Sequence, residues 1–430
     1  MPRFFFLPMR LTQPPQHFQR FSAWLSLPQL ISWGSVFYLF GLLMQPLEAE
    51  LGLGRAQSSL AFSLCLLAEG AGSWLVGRWI DQGRERLVMA TGSVWVALGF
   101  VAHTQVHSLA ALYAVWVWLG LGAAATLYNP AFALVTRRFP HDFRRAIITI
   151  TFLGGLASTV FIPLNSWWIA LWGWRDTLWL LAALQLLVCL PVHLWLLQSS
   201  PPQYPQTAHD AQPVQQAQGS PAQPSHASHT EHSHWRAHLR WPFWLLAAYM
   251  VLMVSITTGL AAHMVPLLRE SGLPDHWVVL IPAAIGLFQV LGRIVLFVME
   301  RQWDVHQANR WISALIPVGL VLLVLVGLHP VPALLFVLLY GMGNGMTTIV
   351  KGTAMALYVS RTHVGVLNGL LGLPVAAGRA LAPLSLGLLW TPSVGYRYAL
   401  WWLLLASLLG MAALWGVQRM AQTHAAPTPR

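Results

Sequence analysis

The sequence predicts an all-α membrane protein, with twelve transmembrane helices in two pseudo-symmetric six-helix bundles. Three observations carry that prediction. Hydrophobic residues make up 56% of the 430 positions and charged residues only 9%, against roughly 25% charged in a typical soluble domain. Apolar windows recur along the chain, each about 20 residues long, which at ~1.5 Å per residue crosses a ~30 Å hydrocarbon core. One long polar interruption, 199–240, divides those windows into two sets of six.

Taken in order, residues 1–28 carry Arg3, Arg10, Arg20 and the apolar run FFFLPM. They lack an apolar core of signal-peptide length ending in a small-residue cleavage site, and read as a cytoplasmic tail. The N-terminal bundle, 29–198, holds spans at 29–49, 57–78, 87–105, 109–134, 146–169 and 176–197. Within the fourth span, Pro130 cannot donate to the carbonyl one turn upstream, which leaves that oxygen for a substrate or water. Cys65 and Cys189 fall in the second and sixth spans, so neither a disulfide framework nor a cysteine metal site is expected. The segment 199–240 is rich in Pro, Gln, Ser and His and cannot bury a core, so it reads as a disordered cytoplasmic linker. Its histidines, His209, His226, His229, His232, His234 and His238, match no closed metal spacing and read as solvated. The C-terminal bundle, 241–418, holds spans at 242–267, 277–298, 311–328, 332–358, 364–389 and 397–417, and 419–430 forms a second cytoplasmic tail. Trp167, Trp168, Trp172 and Trp174 sit near span ends, where indole suits the membrane interface.

A formal charge of +11 raises the question of nucleic acid, but the basic residues do not gather on one soluble face. With the N-terminus cytoplasmic, Arg55, Arg175, Arg269 and Arg397 fall outside and Arg293, Lys351 and Arg379 fall within spans, while every other Lys and Arg is cytoplasmic. That is the positive-inside pattern, and the clusters Arg84/Arg86 and Arg137/Arg138/Arg144/Arg145 set it. An even span number returns the C-terminus to the cytoplasm.

The two halves repeat one another. GWRDTLWLLAALQLL from Gly173 matches GYRYALWWLLLASLL from Gly395; Gly120 and Gly122 pair with Gly341 and Gly343; Pro163 pairs with Pro383. The separations agree to within two residues across three different helices, which argues for duplication. Parallel six-span halves are a transporter architecture whose binding site lies between them, near the bilayer midplane.

An ionisable group inside a bilayer costs about 2.5–3.5 kcal/mol on insertion scales, so each is a functional candidate. Only Glu69, Arg293, Lys351 and Arg379 qualify. Counted from Asp81, Arg301, Arg361 and Thr391 as edge markers, helical rise places them at depths of ~18, ~12, ~15 and ~18 Å. Three cations face one acid, and Lys351 is the only lysine in the chain. Such a surplus suits an anion, above all a carboxylate, which guanidinium groups grip bidentately while the ammonium acts as a point charge. Arg293 and Lys351 are the leading carboxylate ligands, with Arg379 third, since its span is more often peripheral. Glu69 is the candidate for proton coupling, because burial and a neighbouring cation push its protonation in opposite directions. A permanent ion pair with Lys351 or Arg293 is the alternative. Tyr38, Tyr128, Asn129, His263, Gln289 and Asn344 are further candidates for the same cavity, although polar residues also join helices.

GRWIDQGRER at Gly77 resembles the loop between the second and third spans that marks the major facilitator superfamily. By that resemblance Asp81 and Arg84 form a charge latch holding one conformation, with the Asp81–Gly83 spacing one residue short. WGSVFYLFGLLMQPLEAELGLGR, AHMVPLL and the lone arginine of LFQVLGR look like the bacterial monocarboxylate transporter and oxalate/formate exchanger branch. Drug/proton antiporters commonly carry an arginine where this chain has Trp116, which disfavours drug efflux. Animal monocarboxylate carriers place an Asp one turn before the eighth-span arginine and a Lys in the first span; here stand Gln289 and no lysine. Their proton route therefore does not transfer, which turns attention to Glu69.

Together these readings predict a monomeric secondary transporter of the inner (plasma) membrane for a small organic anion. Its transport is by proton symport or anion exchange, without a cofactor or metal. An exporter of another small molecule and a non-transporting sensor are the alternatives. No nucleophile-base set, zinc motif or phosphate loop appears at useful spacing, so an enzyme is not expected.

Overall fold

The structure, a computed structural model, describes residues 18–140, 142–198, 238–299, 302, 304–326, 329–360 and 363–425. Of the linker expected at 199–240, residues 199–237 and with them all its histidines but His238 lie outside those residues, as do the depth markers Arg301 and Arg361.

Among the described residues, eleven helical stretches are long and apolar enough to cross a membrane. One of them, Arg145–Leu196, is 52 residues long, about 78 Å at helical rise and hence enough for two crossings. Its chain turns at Gly173, whose φ of 80° and ψ of 169° end one helix and start the next. Twelve crossings result. Gly395 marks the corresponding turn before the last span, with φ 56°; both sites demand the left-handed region that only glycine enters freely.

Helix boundaries run beyond the hydropathy boundaries. The first span begins at Phe18, so 18–28 is helical rather than tail, and the last helix reaches Ala425, past the expected end at 418. Hydropathy marks the hydrocarbon core, whereas the backbone ladder continues into the polar zone wherever side chains find partners. Gln418 illustrates this: its amide donates to the His306 carbonyl at 3.3 Å and to Tyr358 Oη at 3.1 Å.

Because lipid tails are as apolar as leucine, helix association here rests on close packing and buried polar contacts. The duplicated glycines supply the first. A Cβ on Gly120 would stand 2.1 Å from the Cys65 carbonyl of the second span, and one on Gly122 2.7 Å from Val96 of the third. Their counterparts Gly341 and Gly343 approach Phe288 of the eighth span and Ile316 of the ninth. The same glycine seats therefore pack the same neighbours in each half. Buried apolar side chains also group by half: the cluster from Phe243 to Val417 takes only Leu42 from the first half.

The halves meet tightly at one end and part at the other. Near the end distant from the termini, a Cβ on Gly387 of the eleventh span would stand 2.5 Å from Ser59 Oγ of the second. Midway, Gly70 lies 3.9 Å from Ala376 by the same measure, and Gly77, Gly369 and Gly372 meet nothing within 4 Å. The second and eleventh spans thus splay toward the side bearing the termini.

Candidate functional site

Behind the closed end lies a cavity of about 310 Å³ between the halves, at the lower bound of small-molecule sites. Two helix irregularities shape its first-half wall. In the first span, a π-helical turn at Trp33–Phe37 interrupts the α-helix, and Trp33, Phe37 and Tyr38 all face the cavity. Such bulges recur at functional sites because they re-aim side chains. In the fourth span the helix stops at Thr126, Leu127 is extended with ψ −161°, and a new helix starts at Tyr128, which lines the cavity. The carbonyl one turn upstream of Pro130 is that of Thr126. It is not left to a substrate: Gln29 Nε2 donates to it at 2.7 Å.

The second half contributes Gln289 and Arg293 from the eighth span, Tyr340, Asn344 and Thr348 from the tenth, and Arg379 from the eleventh. Arg293 Nη1 donates to the Thr151 carbonyl at 2.8 Å, with Nε 3.5 Å from the Gly345 carbonyl. Among the described residues no carboxylate pairs with it, so its charge is held but not neutralised. Arg379 differs: its Nη1 pairs with Glu69 Oε1 at 2.9 Å. Its Nη2 is buried with no partner among the described residues, and so is Trp33 Nε1. The Arg379 guanidinium lies 6.0 Å from the Trp33 ring centroid and 5.9 Å from that of Phe37.

Of the residues singled out by sequence, Tyr38, Tyr128, Gln289, Arg293, Asn344 and Arg379 share the cavity wall. Glu69 is reached through Arg379, a partner not anticipated, because depth along a helix does not reveal which face a residue occupies. Lys351 is outside the lining, about one turn past Thr348, and makes no hydrogen bond or ion pair among the described residues. Asn129 is exposed and its amide donates to Ser73 Oγ at 3.3 Å, away from the cavity. Asp81 and Arg84 are exposed, and no ion pair joins them. At that loop Arg137 instead donates to the Ile80 carbonyl and lies 3.6 Å from Glu85.

His263 belongs to the closed end rather than the cavity. Its Nδ1 is 2.8 Å from Tyr396 Oη, and its Nε2 is 2.9 Å from the Pro383 carbonyl and 3.3 Å from Ser59 Oγ. Beside it lies Arg55, only 5% exposed. Arg55 pairs with Glu48 at 2.8 Å within its own half. Across the halves it reaches Glu270 at 2.7 Å and Tyr396 Oη at 2.5 Å. Trp390 covers it from 4.7 Å and donates its indole N–H to Glu270 at 2.8 Å. By position Arg55 is a loop residue and so was counted as an outside charge. The available signal was the gathering of Glu48 and Glu270 at neighbouring span ends. Trp33, Phe37 and Thr348 were likewise missed, since aromatic and threonine side chains are unremarkable in a span.

A sequence profile of the Major Facilitator Superfamily matches residues 25–347. No curated protein matches the chain significantly by sequence. Among solved structures, the chain is similar to a bacterial homolog of the human lysosomal transporter Spinster in an inward-facing, occupied conformation. The TM-score is 0.71 and the identity 14%, covering 95% of this chain and 98% of that one. It is also similar to a point mutant of the nucleoside transporter NupG, with TM-score 0.69 and 15% identity, covering 93% of this chain and all of that one. At such identities the likeness concerns the fold.

Proposed function

The chain belongs to the major facilitator superfamily, and from that premise we propose that it moves a small organic anion, a monocarboxylate, across the membrane by alternating access. The observation that carries this reading is Arg293: a cavity-lining guanidinium bonded, among the described residues, to backbone carbonyls alone, which keep it oriented without cancelling its charge. Arg379 adds a second guanidinium with one unfilled donor. Two guanidinium groups on one small cavity favour a carboxylate over a cation or a neutral solute. Lys351 adds positive potential on the open side, where an incoming anion passes. The wedge between the second and eleventh spans supports entry and exit from the side of the termini, which positive-inside charge identifies with the cytoplasm.

Coupling runs through the Glu69–Arg379 pair. An anion on the Arg379 guanidinium competes with Glu69 for the same positive charge, and Glu69 is the residue to which we assign the coupled proton. Proton and anion are then carried together, and replacing the pair by another anion gives exchange. His263 and Arg55 hold the far end closed in this state.

The test is uptake of labelled carboxylates into proteoliposomes. R293Q is expected to abolish uptake while the purified protein keeps its elution profile and melting temperature. Undiminished uptake by R293Q removes the assignment.

A further inference from the structure

The two walls of the cavity differ in chemistry. The second half supplies the guanidinium groups and amides, whereas the first half supplies a connected set of rings. Trp33 meets Phe37 edge-on at 5.1 Å and Tyr128 at 4.8 Å, and Tyr128 stacks on Phe132 at 5.1 Å with only 10° between planes. Room for Tyr128 comes from Gly154, where a Cβ would stand 2.5 Å from the phenol oxygen. At the seam between the walls, Trp33 Nε1 and Arg379 Nη2 are both buried and unpartnered among the described residues. A buried donor without an acceptor is costly, so each calls for one, and the Arg379 guanidinium lies 6.0 Å from the Trp33 ring centroid.

We infer that the preferred substrate is an aromatic monocarboxylate. Its carboxylate, drawn into the cavity by the uncancelled charge of Arg293, accepts from Arg379 Nη2 and Trp33 Nε1, and its flat ring packs on the faces of Trp33 and Tyr128. This deepens the anion reading and rests on it. Planarity matters because aromatic pairs in offset or edge-on contact gain more than their buried area supplies. A short aliphatic acid satisfies the two donors but leaves the ring wall uncovered. The cavity's 310 Å³ accommodates a single ring with its carboxylate. Trp33 is therefore a specificity-determining residue, acting by its face and by its N–H.

The test measures KM for benzoate, cyclohexanecarboxylate and acetate, and uptake of benzamide, in proteoliposomes containing the full chain. Benzoate is expected to show a KM roughly tenfold below the other two acids, with benzamide not taken up, as stacking and charge both require. W33F, which keeps a ring and loses the N–H, is expected to raise the KM of benzoate and acetate alike, and W33L, which loses both, to raise the benzoate KM further while leaving acetate at its W33F value. Equal KM values for the three acids in the wild type overturn the aromatic inference and leave the anion reading standing. Benzamide uptake matching benzoate overturns the anion reading itself, and absence of any carboxylate uptake overturns both. Should the Trp33 variants fail to fold, the wild-type panel decides alone.

Discussion

Replacing Arg55 by Gln is expected to release the closed end and shift the protein toward a state open on the side opposite its termini. Two of the Arg55 hydrogen bonds cross between the halves, to Glu270 at 2.7 Å and to Tyr396 Oη at 2.5 Å, while its bonds to Glu48 stay within the first half. A hydrogen bond involving a charged group contributes about 1.5–3 kcal/mol when buried. Glu270 retains 26% side-chain exposure, so water recovers part of its contact and the lower end applies. Two such bonds give about 3 kcal/mol, or a shift of roughly 150-fold in the ratio of closed to open outer ends. Loss of the guanidinium also leaves Glu48 and Glu270 facing one another with no cation between them, which pushes in the same direction. The assay is thiol labelling. In a background carrying C65A and C189A, M264C places a single cysteine on the cavity wall beside His263. An impermeant maleimide applied from the side opposite the termini is expected to label M264C slowly when Arg55 is present and at least tenfold faster with R55Q. Equal labelling rates would show that Arg55 does not hold the end shut, and the reasoning from its two crossing bonds would fail.

Two other outcomes follow from the geometry. E69Q frees Arg379 from the carboxylate it pairs with, so counterflow exchange of benzoate is expected to persist while accumulation driven by a pH gradient disappears. Retained pH-driven accumulation in E69Q would place coupling elsewhere. G120A sets a methyl group 2.1 Å from the Cys65 carbonyl, where backbone cannot yield cheaply, and is expected to cost about 1–3 kcal/mol, read as a lowered melting temperature in detergent. G77A meets nothing within 4 Å and serves as the neutral comparison.

Sequence alone was sufficient for the span pattern and for the repeat of its glycines, because each depends on one dimension. Hydropathy integrates along a helix, and a repeat needs only constant separation. The glycines show how far that reaches: Gly120 and Gly341, matched by spacing, prove to seat the second and eighth spans in equivalent ways. Rotation about the helix axis is a different matter. In a soluble helix the apolar stripe reports the buried face, but a span in lipid is apolar toward lipid and toward protein alike, so its azimuth leaves little trace in composition.

That is why Arg379 and Lys351, expected from sequence at similar depths, part company in three dimensions. Arg379 lines the cavity and holds Glu69, whereas Lys351 stands outside the lining. It is also why His263 joins the closed end and Arg55 turns from a topology charge into a buried clasp. The π-helical turn at Trp33–Phe37 adds a local cause, since a wider turn rotates every later side chain of the first span relative to an ideal helix. Chain order and hydropathy determined which segments of this protein form its long apolar helices. Packing of twelve helices determined which of them look at one another, because only contact between helices chooses a direction around each axis.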